Sequence, residues 1–383
     1  MGTYKAFEVI KKDKHSDARV GILHTKKTDI ETPFFMPVAT KATVKHISPK
    51  DLKEIGINAV ISNMLVILFN KQNKVIKKSG GIGRFMNYNG INVTDSGGFQ
   101  MYSNHCYISS DDKGVLFRNP MTKEKIFMTP EDNMGLQLDI GADIAMCLDR
   151  MPLIENTRSE IKDAVRKTTL WAERCKKEHD MLQKNIPLER RQLLFGISQG
   201  GIHNDLRTES VRELLKIGFD GYSIGGLALG EQKKDEYRMI RLQKRLIPKD
   251  KPLYLMGIGH PVEILDAIAL GVDMFDSRFP TMNARRGTLF TSSGKLRLLG
   301  SKYKNDNTPI DKKCNCFVCR EYTRAYLRYL LLQKEGVGMR FASYHNLYYI
   351  NNLIKESREM IRIGRFVQFK NEVKKNYGIQ KAK

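Results

Sequence analysis

Short apolar runs rich in β-branched residues recur along this chain, separated by longer stretches whose apolar residues fall at helical spacing. The runs are FMPVAT from Phe35, INAVIS from Ile57, INVTDS from Ile91, ADIAMCLD from Ala142, LLFGISQG from Leu193, FDGYSIGG from Phe219, PLYLMGIG from Pro252 and VDMFDSRF from Val272. Arg158 to His179, Asp205 to Lys216 and Pro261 to Ala269 are among the amphipathic spacers. Runs that are hydrophobic nearly throughout suit strands covered on both faces. Eight such runs alternating with helices predict an α/β chain folded as a (β/α)8 TIM barrel.

Polar and glycine residues gather at the ends of those runs: Asp95, Asp149, Gln199, Gly225, Gly226, Gly257, Gly259 and Asp276 sit at or just past the C-terminal ends. Any one of them is explained equally well as a turn residue or a helix cap. A barrel brings all of them to one mouth, where active sites of this fold lie. Two acids facing each other across a mouth suit chemistry at an anomeric carbon, one attacking or stabilising it and the other handling a proton. A third acid, an amide and the backbone of a Gly-Gly pair suit a purine edge, guanine above all. Phe99 and Met256 sandwich such a ring or simply belong to the core.

Cysteine is used as a set at one place only. Cys314, Cys316, Cys319 and His345 follow C-x-C-x2-C-x25-H, a spacing that offers four soft ligands to one structural zinc ion, whereas Cys106, Cys147 and Cys175 are scattered singly. A filled four-ligand site staples structure and leaves no place for a substrate. The expected organisation is therefore a catalytic barrel over residues 1–290, an inserted zinc-binding subdomain over 291–349 after the last strand, and a basic helix over 350–383 packing back on the barrel. Leu353, Ile354, Met360, Ile361, Ile363 and Phe366, set among Lys and Arg, give that last stretch its amphipathic spacing.

Charge narrows the partners. Lys+Arg 65 against Asp+Glu 42 leaves +23, an excess that favours a polyanionic partner, nucleic acid before membrane, although a general lysine bias produces the same number. The longest apolar run, Ile57 to Phe69, is interrupted by Asn58, Ser62 and Asn63 and is too short to span a bilayer. With no apolar leader at the N-terminus, the expected location is the cytoplasm.

TDSGGFQ (Thr94 to Gln100), FGISQGG (Phe195 to Gly201), GFDGYSIGGLALGE (Gly218 to Glu231), YLMGIGHP (Tyr254 to Pro261) and DMFDSRFPT (Asp273 to Thr281), followed by the cysteine cluster and His345, resemble the tRNA-guanine transglycosylases over most of the chain. The resemblance implies exchange of a guanine in the tRNA anticodon loop, at the wobble position, for a free 7-deazaguanine base on the way to queuosine. It implies Asp276 as nucleophile toward the ribose C1′ and Asp95 as general acid and base. It makes Phe99, Asp149, Gln199, Gly226, Leu227 and Met256 base-binding, Arg285 and Arg286 tRNA-binding, and Cys314, Cys316, Cys319 and His345 zinc ligands. A homodimer is the usual assembly.

Departures from the pattern bear on specificity. Asp149-Arg150-Met151 stands where bacterial members carry Asp-Glu-Cys, which leaves the substituent open, with queuine and a cyano group as alternatives; Leu229 stands where eukaryotic members carry a glycine that admits queuine, which favours a small substituent such as aminomethyl. Pro280 to Gly287 lacks the first arginine of P-T-R-x-x-R-x-G, and Asn63-Met64-Leu65-Val66 replaces an aromatic dimer motif. Tyr322, Tyr326 and Tyr329, at i, i+4, i+7 spacing, rebuild an aromatic dimer patch or pack locally. A non-catalytic tRNA-binding member and a DNA-directed transferase are the competing readings.

Overall fold

The computed structural model describes residues 4–97 and 106–378. Eight parallel strands form its centre: β1 (Phe34–Pro37), β2 (Ala59–Asn63), β3 (Ile91–Asp95), β4 (Ile144–Met146), β5 (Leu193–Ser198), β6 (Gly221–Ile224), β7 (Leu253–Leu255) and β8 (Met274–Ser277). Each of the eight apolar runs supplies one of them. Neighbours follow in chain order, β8 pairs with β1, and a parallel bridge between Val38 and Ile61 nearly closes the ring between β1 and β2.

Side-chain parity sorts the barrel into inside and outside. Phe34, Met36, Ala59, Ile61, Ile91, Val93, Ile144, Met146, Phe195, Ile197, Tyr254 and Met274 fill the interior. The intervening Phe35, Val60, Ala145, Leu194, Leu253 and Phe275 pack outward against the helices. Gly221 makes room for this filling, because a Cβ there would come within 2.4 Å of the Phe195 ring. An antiparallel sheet that the sequence pattern did not announce, Phe7–Lys12, Arg19–His24 and Asp29–Thr32, covers the foot, with Phe7, Leu23 and Ile30 joining the interior cluster.

A second antiparallel sheet, Tyr107–Ser110, Val115–Arg118 and Lys125–Met128, is inserted between β3 and β4. After β8 come helix Phe279–Arg285, a hairpin of Thr288–Thr291 with Gly294–Arg297, and the cysteine-bearing turn. Helix Gly336–Arg362 then returns to the barrel. Its Asn346 donates to Pro280 O (3.0 Å) and Thr288 O (3.1 Å) and accepts from Phe290 N (2.9 Å), and its Arg358 reaches Pro33 O (2.8 Å) at the start of β1. The long helix thus fills the place of the last barrel helix and carries His345 as well.

Two local expectations change. The basic C-terminal stretch is two helices, Gly336–Arg362 and Phe366–Gly378, because Gly364 adopts φ +72° and breaks the hydrogen-bond ladder. The first of them begins well before residue 350 and runs through that point unbroken. Tyr322 does not share a helix with Tyr326 and Tyr329: Thr323 caps helix Arg324–Leu332, and Tyr322 is extended in front of it. Its ring stacks on Phe341 at 4.4 Å and on Tyr326 at 5.8 Å, with Tyr326 44% and Tyr329 58% exposed.

Candidate active site and metal centre

At the open end of the barrel the inward parity passes from apolar residues to acids. Ile91 and Val93 point inward on β3, so Asp95 does too; Met274 points inward on β8, so Asp276 follows. Both are half-buried. Asp95 accepts from Gly97 N at 2.6 Å and from Asn63 Nδ2 at 3.0 Å. Burial, with the nearby charges of Asp276 and Asp149, outweighs those bonds and pushes its carboxyl up to about 7. Asp276 accepts from the Tyr254 hydroxyl at 2.6 Å and Gly257 N at 3.0 Å; burial raises its pKa, and these two donors pull it back.

The third acid is fully buried. Asp149 accepts from Gln199 Nε2 at 2.6 Å and Ser96 Oγ at 3.4 Å, and burial pushes it up to about 6 against those bonds. Gln199 Oε1 is buried with no hydrogen-bond partner among the described residues, an acceptor held ready for a donor from outside the protein. Gly225 and Gly226 lie against this amide: a Cβ on either would come within 2.5 Å of it, and Gly226 has φ +62°. Leu227 points its side chain into the core, so that backbone is what it offers a ligand. Met256 is half-buried against the interior cluster. The expectation placed on Phe99 lies outside the described residues.

The structure therefore brings Asp95, Asp149, Gln199, Gly226 and Asp276 to one rim, linked pairwise by the charge and hydrogen bonds above. A cavity of about 390 Å³, lined in part by Gly226, Leu229, Ile154, His203 and Asp235, adjoins it. Burial raises both rim carboxyls, and their hydrogen-bond donors differ, Asn63 and Gly97 on Asp95 against Tyr254 and Gly257 on Asp276, an asymmetry that suits one attacking and one proton-carrying role. Arg285 and Arg286 end helix Phe279–Arg285 just beyond β8. Arg285 is half-buried, its Nη1 without a hydrogen-bond partner among the described residues, and burial plus the charges of Arg286 and Arg278 lower its pKa. Arg286 is exposed.

Asn63 and Tyr254, which orient the two rim acids, were not singled out from sequence as site residues. The signal was available: Tyr254 carries a hydroxyl inside a strand string, and Asn63 is a polar residue directly after one. A third omission, the buried Arg207, sits behind the same rim.

Away from the mouth, Cys314, Cys316, Cys319 and His345 converge, their ligand atoms all within 4.8 Å of one another. His345 Nδ1 lies 3.7, 3.5 and 3.3 Å from the three Sγ atoms. Those separations match the edge of a tetrahedron around a metal with bonds of about 2.0–2.3 Å, roughly 3.6 Å. His345 Nε2 lies 2.7 Å from Phe290 O, which takes the ring proton and leaves Nδ1 free as a ligand. The four residues fit a tetrahedral metal ion, and none of the cysteines is in a disulfide.

Among the described residues, no helix is long and apolar enough to cross a membrane. A family model described as queuine tRNA-ribosyltransferase matches residues 13–379. The queuine tRNA-ribosyltransferase of Bacillus licheniformis is 43% identical over 375 residues, covering 98% of this chain and 97% of that protein. Those of Macrococcus caseolyticus and Bacillus subtilis are 42% identical over 373 residues (97% of each chain) and 41% identical over 375 residues (98% and 97%). With matches of this length at both levels, the chain belongs to the queuine tRNA-ribosyltransferase family.

Proposed function

We propose that this protein is a tRNA-guanine transglycosylase, a pentosyltransferase that exchanges an anticodon wobble guanine for a free 7-deazaguanine base in queuosine formation. The observation that carries the reading is the pair of inward carboxyls at the tips of β3 and β8, one of them poised near neutrality. In this reading Asp276 attacks the ribose C1′ as the C1′–N9 bond breaks, and the bonding pair leaves with guanine. Asp95, protonated, gives its proton to the departing base. The incoming base then returns a proton to Asp95, its N9 attacks C1′, and Asp276 is released. Tyr254 and Gly257 suit the attacking role of Asp276, since both donate to one of its oxygens and hold the anion in place.

Asp149, Gln199, Gly226 and Leu227 read the base edge, Met256 and Phe99 cover its faces, and Arg285 with Arg286 holds the loop phosphates or bases. The substituent favoured is aminomethyl, on the ground that Leu229 narrows the cavity beside Gly226. The metal is zinc, one structural ion held by three thiolates and an imidazole; when bound it supplies a cross-link and no chemistry. The division into a barrel over 1–290, a zinc subdomain over 291–349 and a C-terminal segment over 350–383, a cytoplasmic location, and a homodimer using the exposed Tyr326 and Tyr329 belong to the same proposal.

The test is incorporation of labelled guanine into tRNA and into duplex DNA, together with trapping of a denaturant-resistant RNA adduct. Labelling of tRNA alone, with an adduct lost in Asp276→Asn, is expected. Labelling of DNA, or tRNA binding with no exchange, favours the DNA-directed or non-catalytic reading. Calorimetry with guanine, queuine and the aminomethyl and cyano 7-deazaguanines decides the substituent.

A further inference from the structure

Helix Asn204–Ile217 follows β5, and its Arg207 is wholly buried. Among the described residues no carboxylate lies within ion-pair distance of it. Its guanidinium is spread instead over three backbone carbonyls: Nε donates to Gly201 O at 2.8 Å, Nη1 to Ser198 O at 3.0 Å and Nη2 to Gly226 O at 3.3 Å. Burying a cation without an acid is costly, and such an arrangement persists where the rigid fork of donors fixes a geometry that one point charge cannot. Burial lowers the Arg207 pKa to about 9, with Glu231 opposing, so the group is still charged at neutral pH.

The three carbonyls flank the groups that read the ligand in the proposed site: Ser198 ends β5, Gly201 lies in the loop after it and Gly226 in the loop after β6. Ser198 and Gly201 bracket Gln199, and Ser210 on the same helix accepts from Gln199 N at 3.0 Å, so the peptides around Gln199 are tied to one helix on both sides. The packing is close: a Cβ on Gly200 would stand 2.7 Å from Arg207 N. On the other loop, Arg207 draws the Gly226 carbonyl toward itself. A trans peptide points its C=O and the following N–H in opposite directions, so the Leu227 N–H is turned away from Arg207.

We propose that Arg207 is a positioning residue that presets the Gln199 amide and the Gly226–Leu227 peptide for the incoming heterocycle. It touches no substrate. It ties β5 and β6 loops together behind the base and removes the entropy of ordering them from the cost of base binding. The inference rests on the reading that these groups face a purine-like base, and it assigns them a shared support that a buried helix arginine does not ordinarily have.

Arg207→Lys and Arg207→Gln test it, each assayed well below its own melting midpoint. The expected result is a KM for free base raised about ten- to a hundredfold, the scale of a lost charge-assisted hydrogen bond, with Lys milder than Gln. The KM for tRNA, whose loop and phosphate contacts lie outside this pocket, should rise much less than that for free base, and kcat at saturating base should change less than about threefold. Equal losses for both substrates, or a lowered melting midpoint with the base KM unchanged, would overturn the role. Should neither variant fold, the wild type labelled with nitrogen-15 arginine serves: the Arg207 Nε–H resonance should shift when guanine is added, and an unmoved resonance overturns the proposal. Wild-type incorporation of labelled guanine into tRNA separates the two levels. Its absence overturns the site reading and this inference together, whereas its presence beside the overturning kinetics removes only the role of Arg207.

Discussion

At the foot of the barrel Asp143, Asp220 and Asp273 each stand one residue before a strand, while at the mouth Asp95, Asp149 and Asp276 stand at or beyond strand ends. The residue type is the same and the surroundings are opposite. Asp143 accepts from Asn92 N (2.8 Å), Asp220 from Leu194 N (2.9 Å) and Asp273 from Leu253 N (2.7 Å), each bridging to the neighbouring strand. Cations face them. Arg19 forks onto Asp273 at 2.8 and 2.6 Å, Lys26 and Lys27 lie near Asp143, and Lys251 and Lys176 near Asp220. At the mouth, the charges acting on Asp95 are those of two other acids. Burial raises Asp143 and Asp220 as it does Asp95, so a raised carboxyl by itself does not distinguish scaffold from chemistry. What distinguishes them is whether a cation and a strand N–H have already claimed the oxygens.

The largest effect expected from breaking this contrast is at the mouth. Asp276→Asn should lower guanine exchange by roughly 10⁴-fold or more and abolish the RNA adduct, with the melting midpoint little changed. Single-turnover exchange and calorimetry check it; a variant that keeps the rate removes Asp276 from the chemistry.

Next comes the metal centre, which stands apart from both rims. Cys316→Ala should eliminate bound zinc by elemental analysis, expose the segment from about residue 305 to 349 to trypsin and abolish RNA binding, while base binding in the mouth is partly kept. Full retention of tRNA affinity counts against it.

At the foot the currency is stability instead of rate. Asp273→Asn strands the buried Arg19 guanidinium and should cost about 3–5 kcal/mol in denaturant unfolding, with exchange by the remaining folded enzyme near normal. The half-buried Asp220→Ala, which removes the acceptor of Leu194 N, should cost about 1–2 kcal/mol in the same measurement.

The effect of Asp95 on stability is the one that turns on pH. Its folded carboxyl sits near 7 against an ordinary 3.8, so the folded state holds the proton longer than the unfolded chain. The stability this contributes is full below the ordinary value and is lost as pH rises through about 7. Asp95→Asn should therefore gain stability relative to wild type between about pH 5 and pH 8, read by melting curves. The same titration should make kcat/KM for tRNA, which reacts first and needs the acid protonated, fall above about pH 7.

The order of strands and helices was legible from hydrophobic pattern alone, because parallel strands are covered on both faces and each apolar run had one place to go. Parity along β3 and β8 puts Asp95 on the side of Val93 and Asp276 on the side of Met274, but only the closed barrel decides that this side is the inner one. The cluster that could hold a metal was legible for a different reason: cysteines are scarce and their spacing is local except for His345. Local pattern did not reveal which acids were spoken for. Asp273 and Asp276 are three residues apart, one just before β8 and one near its end, and only the fold brings Arg19 to the first and Tyr254 to the second. Pattern likewise missed the antiparallel sheet that closes the foot, the break at Gly364, and the separation of Tyr322 from its helix. Arg207 makes the same point most sharply. In sequence it is one charged residue on an amphipathic helix; tertiary structure alone decides that three carbonyls from two loops meet at its guanidinium, because hydrogen bonds are set by proximity in space and hydrophobic period is set by order along the chain.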